Sequence, residues 1–167
     1  PINARFHELP EILKKVQTAI ERQRLRPTDT GLKKIAVVED NEDNRLLLKA
    51  LLSKTYQIVE FENGADALDR LAQTSPHLIF IDISLPGIDG ISVMQGLRRQ
   101  ENLQNTPMIA LTAHAMSGDR ERFLMAGFND YLSKPINDEK ILHSIVDRWI
   151  KSPHTETIET LSIKDQS

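Results

Sequence analysis

The stretch Leu78-Ile79-Phe80-Ile81-Asp82-Ile83-Ser84-Leu85-Pro86-Gly87-Ile88-Asp89-Gly90 decides the fold. Leu78 to Ile81 is an apolar run without polar alternation, the pattern of a strand covered on both faces of a parallel sheet. An acid, Asp82, follows at once, and Leu85 to Gly90 is a turn-rich loop. The same order recurs on either side. Ile35-Ala36-Val37-Val38 is a second buried run, closed by Glu39 and Asp40. Asp40 is the expected N-cap of a helix carrying Leu46, Leu47, Ala50 and Leu51. Ile58 to Phe61 reads as a strand, and Asn63-Gly64 opens a helix with Ala67, Leu68 and Leu71 that Pro76 stops. Beyond the loop, Val93, Met94 and Leu97 mark a helix, and Pro107 precedes the strand Met108 to Leu111. A helix with Phe123, Leu124 and Ala126 ends at Gly127 as its C-cap. Tyr131-Leu132 is a short strand, and Ile141, Leu142, Ile145, Val146 and Trp149 outline a last amphipathic helix. Five such units in about 116 residues predict an α/β domain, a doubly wound five-stranded parallel sheet with helices on both faces.

Composition narrows the class. With 167 residues, 40% hydrophobic and 27% charged, the chain can bury a core and is not globally disordered. The absence of cysteine excludes disulfide scaffolds, zinc–thiolate sites, iron–sulfur clusters and a cysteine nucleophile. The longest apolar runs are far short of the roughly 18 residues of a membrane span. The first residues lack the apolar core of a secretory signal, so a cytoplasmic location is expected. The net charge of −3 conceals a division: +4 over residues 1–34, −6 over 35–150 and −1 over 151–167. An acidic middle gives no reason to expect nucleic acid as ligand. The arm, residues 1–32, places Leu9, Ile12, Leu13, Val16 and Ile20 at helical spacing. Its basic end, Arg22 to Arg26, reads as a solvated helix terminus. Residues 151–167 read as a disordered tail.

Open parallel sheets bind ligands beyond the carboxyl ends of their strands. Glu39 and Asp40, Asp82, Thr112 and Lys134 all fall there. Taken singly, each has a plain reading as a helix cap, a loop acid, a β-branched strand residue or a surface lysine. Together they put three acids, a hydroxyl and an ammonium on one edge. Clustered carboxylates repel unless a cation sits among them, and oxygen-only donors suit a hard divalent ion such as Mg²⁺. A metal beside a carboxylate and a lysine suggests phosphoryl chemistry, with Lys134 neutralising phosphoryl oxygens and Thr112 donating a hydrogen bond. Aspartate is already ionised at neutral pH and needs no general base to act as a nucleophile. His114 reads as a loop histidine.

The motifs Val37-Val38-Glu39-Asp40-Asn41, Phe80 to Gly90, Ala110-Leu111-Thr112-Ala113 and Tyr131-Leu132-Ser133-Lys134-Pro135 stand in order. Over residues 33–150 the chain thereby resembles the receiver domain of bacterial two-component response regulators. The resemblance implies a flavodoxin-like sheet of strand order 2-1-3-4-5. It makes Asp82 the phosphoacceptor, with Thr112 and Lys134 beside it as the other catalytic residues. It assigns Mg²⁺ to Glu39, Asp40, Asp82 and the backbone carbonyl of Ser84. Thr112 and Tyr131 match the switch pair, and the Lys134–Pro135 bond matches one that is cis in the family. Glu39 replaces the commoner aspartate, so its longer arm is expected to reach the metal through water. The implied partners are a sensor histidine kinase or histidine phosphotransfer protein as donor and a downstream protein target. Switching would act through the face of the domain's fourth helix, fifth strand and fifth helix. Direct DNA binding, membrane association and enzymatic turnover of a separate substrate are not expected; loss of its own phosphoryl group is. The stretch around Thr112 and His114 looks most like receivers attached to hybrid sensor kinases or standing alone.

Other classes fit less well. A phosphatase with an aspartyl nucleophile needs a second acid two positions on, where Ser84 stands. A flavin phosphate would be repelled by Glu39 and Asp40. None of the seven glycines opens a P-loop. A receiver whose phosphorylation is unused remains an alternative. In the arm, Pro1-Ile2-Asn3 repeats Pro135-Ile136-Asn137, and Ile12, Leu13, Val16 and Ile20 echo Ile141, Leu142, Ile145 and Trp149. The arm therefore reads as a linker helix, or as the end of a preceding receiver.

Overall fold

The computed structural model describes residues 13–18 and 31–150. The chain divides into two compact units, residues 1–32 and residues 33–167. In the first, residues 13–18 are helical and exposed; Leu9, Ile12, Ile20 and the basic stretch lie outside the described residues. So does the expected tail, 151–167.

The second unit alternates β1 (Lys34–Val38), α1 (Glu42–Leu52), β2 (Gln57–Phe61), α2 (Gly64–Arg70), β3 (Leu78–Asp82), α3 (Gly90–Arg98), β4 (Met108–Thr112), α4 (Asp119–Ala126), β5 (Asp130–Ser133) and α5 (Glu139–Ile150). Every strand pairing is parallel, and the strand order is β2-β1-β3-β4-β5. This is the predicted doubly wound sheet. Alternate residues serve opposite faces, as the pleat requires. Ala36, Val38, Ile79, Ile81, Met108 and Ala110 pack with Ala67, Val93, Met94, Leu97 and Phe123 of α2, α3 and α4. Ile35, Val37, Leu78, Phe80, Ile109 and Leu111 pack with Leu48, Leu52, Leu142 and Val146 of α1 and α5. Central strands β3 and β4 are buried along their whole length, which is why their sequences show no alternation.

Three expectations are corrected. The N-cap of α1 is Asn41, whose side chain accepts from the Asn44 amide; Asp40 stays exposed, outside the helix. The buried face of α1 is Arg45, Leu48 and Leu52, whereas Leu46 and Leu47 are exposed. The helix is leucine-rich on several sides, so its apolar pattern fits more than one phase, and the sheet selects the stripe. In α4 the expected trio reduces to one buried residue, Phe123.

Loop geometry brings helix starts close to strand ends. A Cβ added at Gly90 would meet the Asp82 carbonyl oxygen at 2.1 Å. Only a residue without a side chain lets α3 begin against the end of β3. Arg98, further along α3, donates to the carbonyls of Gln104, Thr106 and Gly127 and to the side chain of Asn129. Asn129 in turn accepts the Met108 amide, so α3 is tied to the approaches of both β4 and β5.

Gly90→Ala should destabilise the domain by about 2–3 kcal/mol, since backbone rather than a flexible side chain must move. Urea unfolding checks this; a variant as stable as the parent would contradict the close approach.

Candidate functional site

Parallel register aligns the strand ends. Val38 lies beside both Phe61 and Ile81, Asp82 beside Leu111, and Thr112 beside Ser133. The ladder continues one step further, through the Glu39 amide to the Phe61 carbonyl, the Ile83 amide to the Leu111 carbonyl and the Lys134 amide to the Thr112 carbonyl. Residues distant in sequence therefore emerge on one edge. Glu39, Asp82 and Thr112 are buried there, with 0%, 2% and 4% of their surfaces exposed; Asp40 and Ser84 are exposed.

Lys134 links the cluster. Its Nζ lies 3.0 Å from Glu39 Oε2 and 3.1 Å from Asp82 Oδ2. The remaining oxygens also have partners: the Asn41 amide donates to Glu39 Oε1 at 3.1 Å, and the Ser84 amide to Asp82 Oδ1 at 3.0 Å. Burial pushes the Glu39 carboxyl above the ordinary glutamate range, with the Asp82 charge adding to the rise. The hydrogen bonds from Lys134 and Asn41 pull against it. Burial also draws the Lys134 ammonium down, but its hydrogen bonds to Glu39 and Asp82 and their charges together hold it above the usual lysine value.

Glu39, Asp40 and Asp82 each offer a carboxylate oxygen within 4.8 Å of the others. The donors are oxygen alone, the set that a hard divalent cation prefers. Thr112 belongs to the same edge, but its hydroxyl is engaged elsewhere. It donates to the His114 carbonyl at 3.0 Å and accepts the His114 amide at 3.2 Å. Tyr131, half-buried on β5, leans on Phe123 with ring centroids 6.4 Å apart. The Lys134–Pro135 bond is cis, as the resemblance implies. None of the described helices is long and apolar enough to cross a membrane.

Two participants escaped the sequence reading. Asn41 enters the sequence pattern only as part of a motif, yet its amide holds Glu39. Arg45 was not singled out, although it is 8% exposed and touches the site's backbone. The signal was present, as Arg45, Leu48 and Leu52 share a helical face, an unusual place for an unpaired-looking arginine.

Fold and site together define a doubly wound α/β domain with an acidic, lysine-bridged strand edge. The family model for the response regulator receiver domain matches residues 35–146, and the chain belongs to that family. It is 41% identical over 116 residues to the signal transduction histidine-protein kinase BarA of Escherichia coli (strain K12), 69% of this chain but 12% of that protein. The polar-differentiation response regulator DivK of Brucella anthropi is 39% identical over 114 residues, 68% of this chain and 93% of DivK. Among solved structures, the receiver domain of the sensor histidine kinase PA1611 from Pseudomonas aeruginosa PAO1 is 39% identical, with a TM-score of 0.66, covering 72% of this chain and 99% of that one. That structure holds a magnesium ion coordinated in its active-site cleft.

Replacing Lys134 with methionine leaves two buried carboxylates facing each other. Because the folded-state pKa of Glu39 is raised, the folded domain takes up its proton at higher pH than the unfolded chain does. Carboxylate repulsion is thus relieved as pH falls towards about 4.3. The contribution of Lys134 itself is full below about 10.4 and is lost only above that. In urea unfolding without divalent cations, Lys134→Met should be less stable than the parent by on the order of 3 kcal/mol near neutral pH. The deficit should shrink on acidification. A deficit independent of pH would show that the ammonium does not offset the carboxylate charge.

Proposed function

We propose that this domain is the phosphoacceptor of a two-component phosphorelay, with Asp82 receiving the phosphoryl group from a phosphohistidine on a sensor histidine kinase or histidine phosphotransfer protein. The observation that carries this reading is the fixed orientation of Asp82: Oδ1 on the Ser84 amide and Oδ2 on Lys134, with Glu39 and Asp40 within reach of one cation. A carboxylate oxygen of Asp82 forms the new P–O bond as the P–N bond breaks, and the electron pair of that bond returns to the imidazole nitrogen. Glu39, Asp40, Asp82 and the Ser84 carbonyl are the residues that would hold Mg²⁺, which supplies charge neutralisation for the phosphoryl oxygens when bound. Lys134 is already placed to follow the new charge, since it lies on Asp82 before any transfer.

The switch follows from local bonding. A phosphoryl group on Asp82 is a strong acceptor for the Thr112 hydroxyl, which must give up its bonds to His114 to reach it. Tyr131 then turns into the space Thr112 leaves, and the face of α4, β5 and α5 changes shape for a downstream protein target. The domain works as a cytoplasmic acceptor that turns over only its own phosphoryl group, without binding DNA directly. BarA and DivK bracket its possible settings, a histidine kinase and a response regulator of nearly the matched length.

Intact mass after treatment with acetyl phosphate and Mg²⁺ tests the assignment. The parent should gain one phosphoryl group, Asp82→Ala none, and chelation of the metal should prevent the gain. An Asp82→Ala protein that is still modified would overturn it. The switch has a second readout. Trp149 is the chain's single tryptophan, and its indole N–H donates to Asp130 Oδ2 at 3.0 Å, next to Tyr131. Phosphorylation should therefore change its fluorescence in the parent and much less in Tyr131→Ala; equal changes in both would argue against movement of Tyr131.

A further inference from the structure

Arg45 is a charged residue on the inner face of α1, in line with Leu48 and Leu52. Its strongest contacts are not with acids. Nη1 donates to the Glu39 carbonyl at 2.9 Å and to the Asp40 carbonyl at 3.1 Å. The Arg45 amide donates to the Asn41 carbonyl, also at 3.1 Å. One residue therefore grips three consecutive carbonyls, those of the segment that carries the acidic pair. The ionic partners lie outward on β2 and beyond it: Glu60 at 3.7 Å, and Glu62 at 3.3 Å with 75% of its side chain exposed. So exposed a partner adds little, and the guanidinium is held mainly by the loop it holds.

The trans peptide makes this grip directional. In a planar trans unit the C=O and the N–H point to opposite sides. The peptide between Asp40 and Asn41 gives its carbonyl to Arg45 and its N–H to Glu39 Oε1. A single rigid plane thus connects the guanidinium to the carboxylate of a candidate metal ligand. From this chain of contacts we propose that Arg45 is a positioning residue for the divalent cation site, setting the carboxylates of Glu39 and Asp40 through the backbone of residues 39–41. The inference rests on reading that cluster as the Mg²⁺ site. Without the guanidinium the 40–41 plane is free to turn, the Asn41 amide leaves Glu39, and the acidic pair loses its common orientation. Lysine would supply a point charge but not several donors in a fixed plane.

The experiment measures the initial rate of phosphorylation by acetyl phosphate, read by intact mass, across a Mg²⁺ titration of the full chain. It yields a half-saturating Mg²⁺ concentration and a limiting rate. Arg45→Met should raise the half-saturating concentration about tenfold, the scale on which partners behind metal ligands act, and change the limiting rate by less. Arg45→Lys should fall between parent and Arg45→Met. Arg70→Met, which removes an exposed arginine paired with Asp66, should leave the half-saturating concentration where it is. A folded Arg45→Met protein with the parent's half-saturating concentration would overturn the inference. So would a fall in limiting rate without that shift, or an equal shift in Arg70→Met. Should Arg45→Met fail to fold, Arg45→Lys decides by the same criterion. A parent that gains no phosphoryl group, or gains it without Mg²⁺, would instead bring down the reading of the site on which the inference rests.

Discussion

An ammonium between two buried carboxylates is the contact on which the rest of this domain depends. Glu39 and Asp82 are almost wholly withdrawn from water, and like charges so placed repel strongly unless a cation intervenes. Lys134 supplies that cation from the far side of the sheet, 95 residues along the chain from Glu39. For the three groups to meet, β1, β3 and β5 must end level and the loop after β5 must turn back across β4. The register of four parallel pairings and the bond from the Lys134 amide to the Thr112 carbonyl secure this. Core packing and site geometry are therefore one requirement: a slip of any strand by one residue would send its side chains to the opposite face and separate the ammonium from its acids.

Much of this was legible in the sequence, and the reason is physical. Buried parallel strands leave continuous apolar runs, and those at Ile35, Leu78 and Met108 lie wholly within observed strands. A parallel sheet also collects whatever follows its strands at one edge, so Glu39, Asp82, Thr112 and Lys134 were brought together by topology alone. Strand ends carried small errors, because Asp82 and Thr112 complete their strands while their polar character reads as loop. The phase of α1 was not legible. Five leucines within the helix surround its axis, and only contact with the sheet distinguishes Leu48 and Leu52 from Leu46 and Leu47. Arg45 was lost with that phase, since an arginine among leucines declares itself only when its face is known. The state of the Thr112 hydroxyl was equally hidden, because no residue pattern encodes a bond from a side chain to the backbone of His114.

The two ends of the sheet's helical cover are held with unequal firmness, and the inequality follows the site. Helices α2 and α3 start with asparagine and aspartate caps; α3 also buries Val93, Met94 and Leu97, and Arg98 adds four further bonds from it to the neighbouring loops and Asn129. Helix α4 has a glycine N-cap with no side-chain bond and one buried residue, Phe123. Met116 and Met125, just before and within it, are 75% and 88% exposed. A helix with so few buried contacts opens or shifts at low free energy. Its one fully buried side chain, Phe123, is the ring against which Tyr131 leans, and Tyr131 sits on the strand whose end leads to Lys134. The proposed switch would therefore run through the least secured part of the sheet's cover, while Asn41 and Arg45 at the start of α1 hold the backbone of the acidic pair. On the proposed function, firmness would lie with the residues that orient the acidic pair and looseness with the face that has to move.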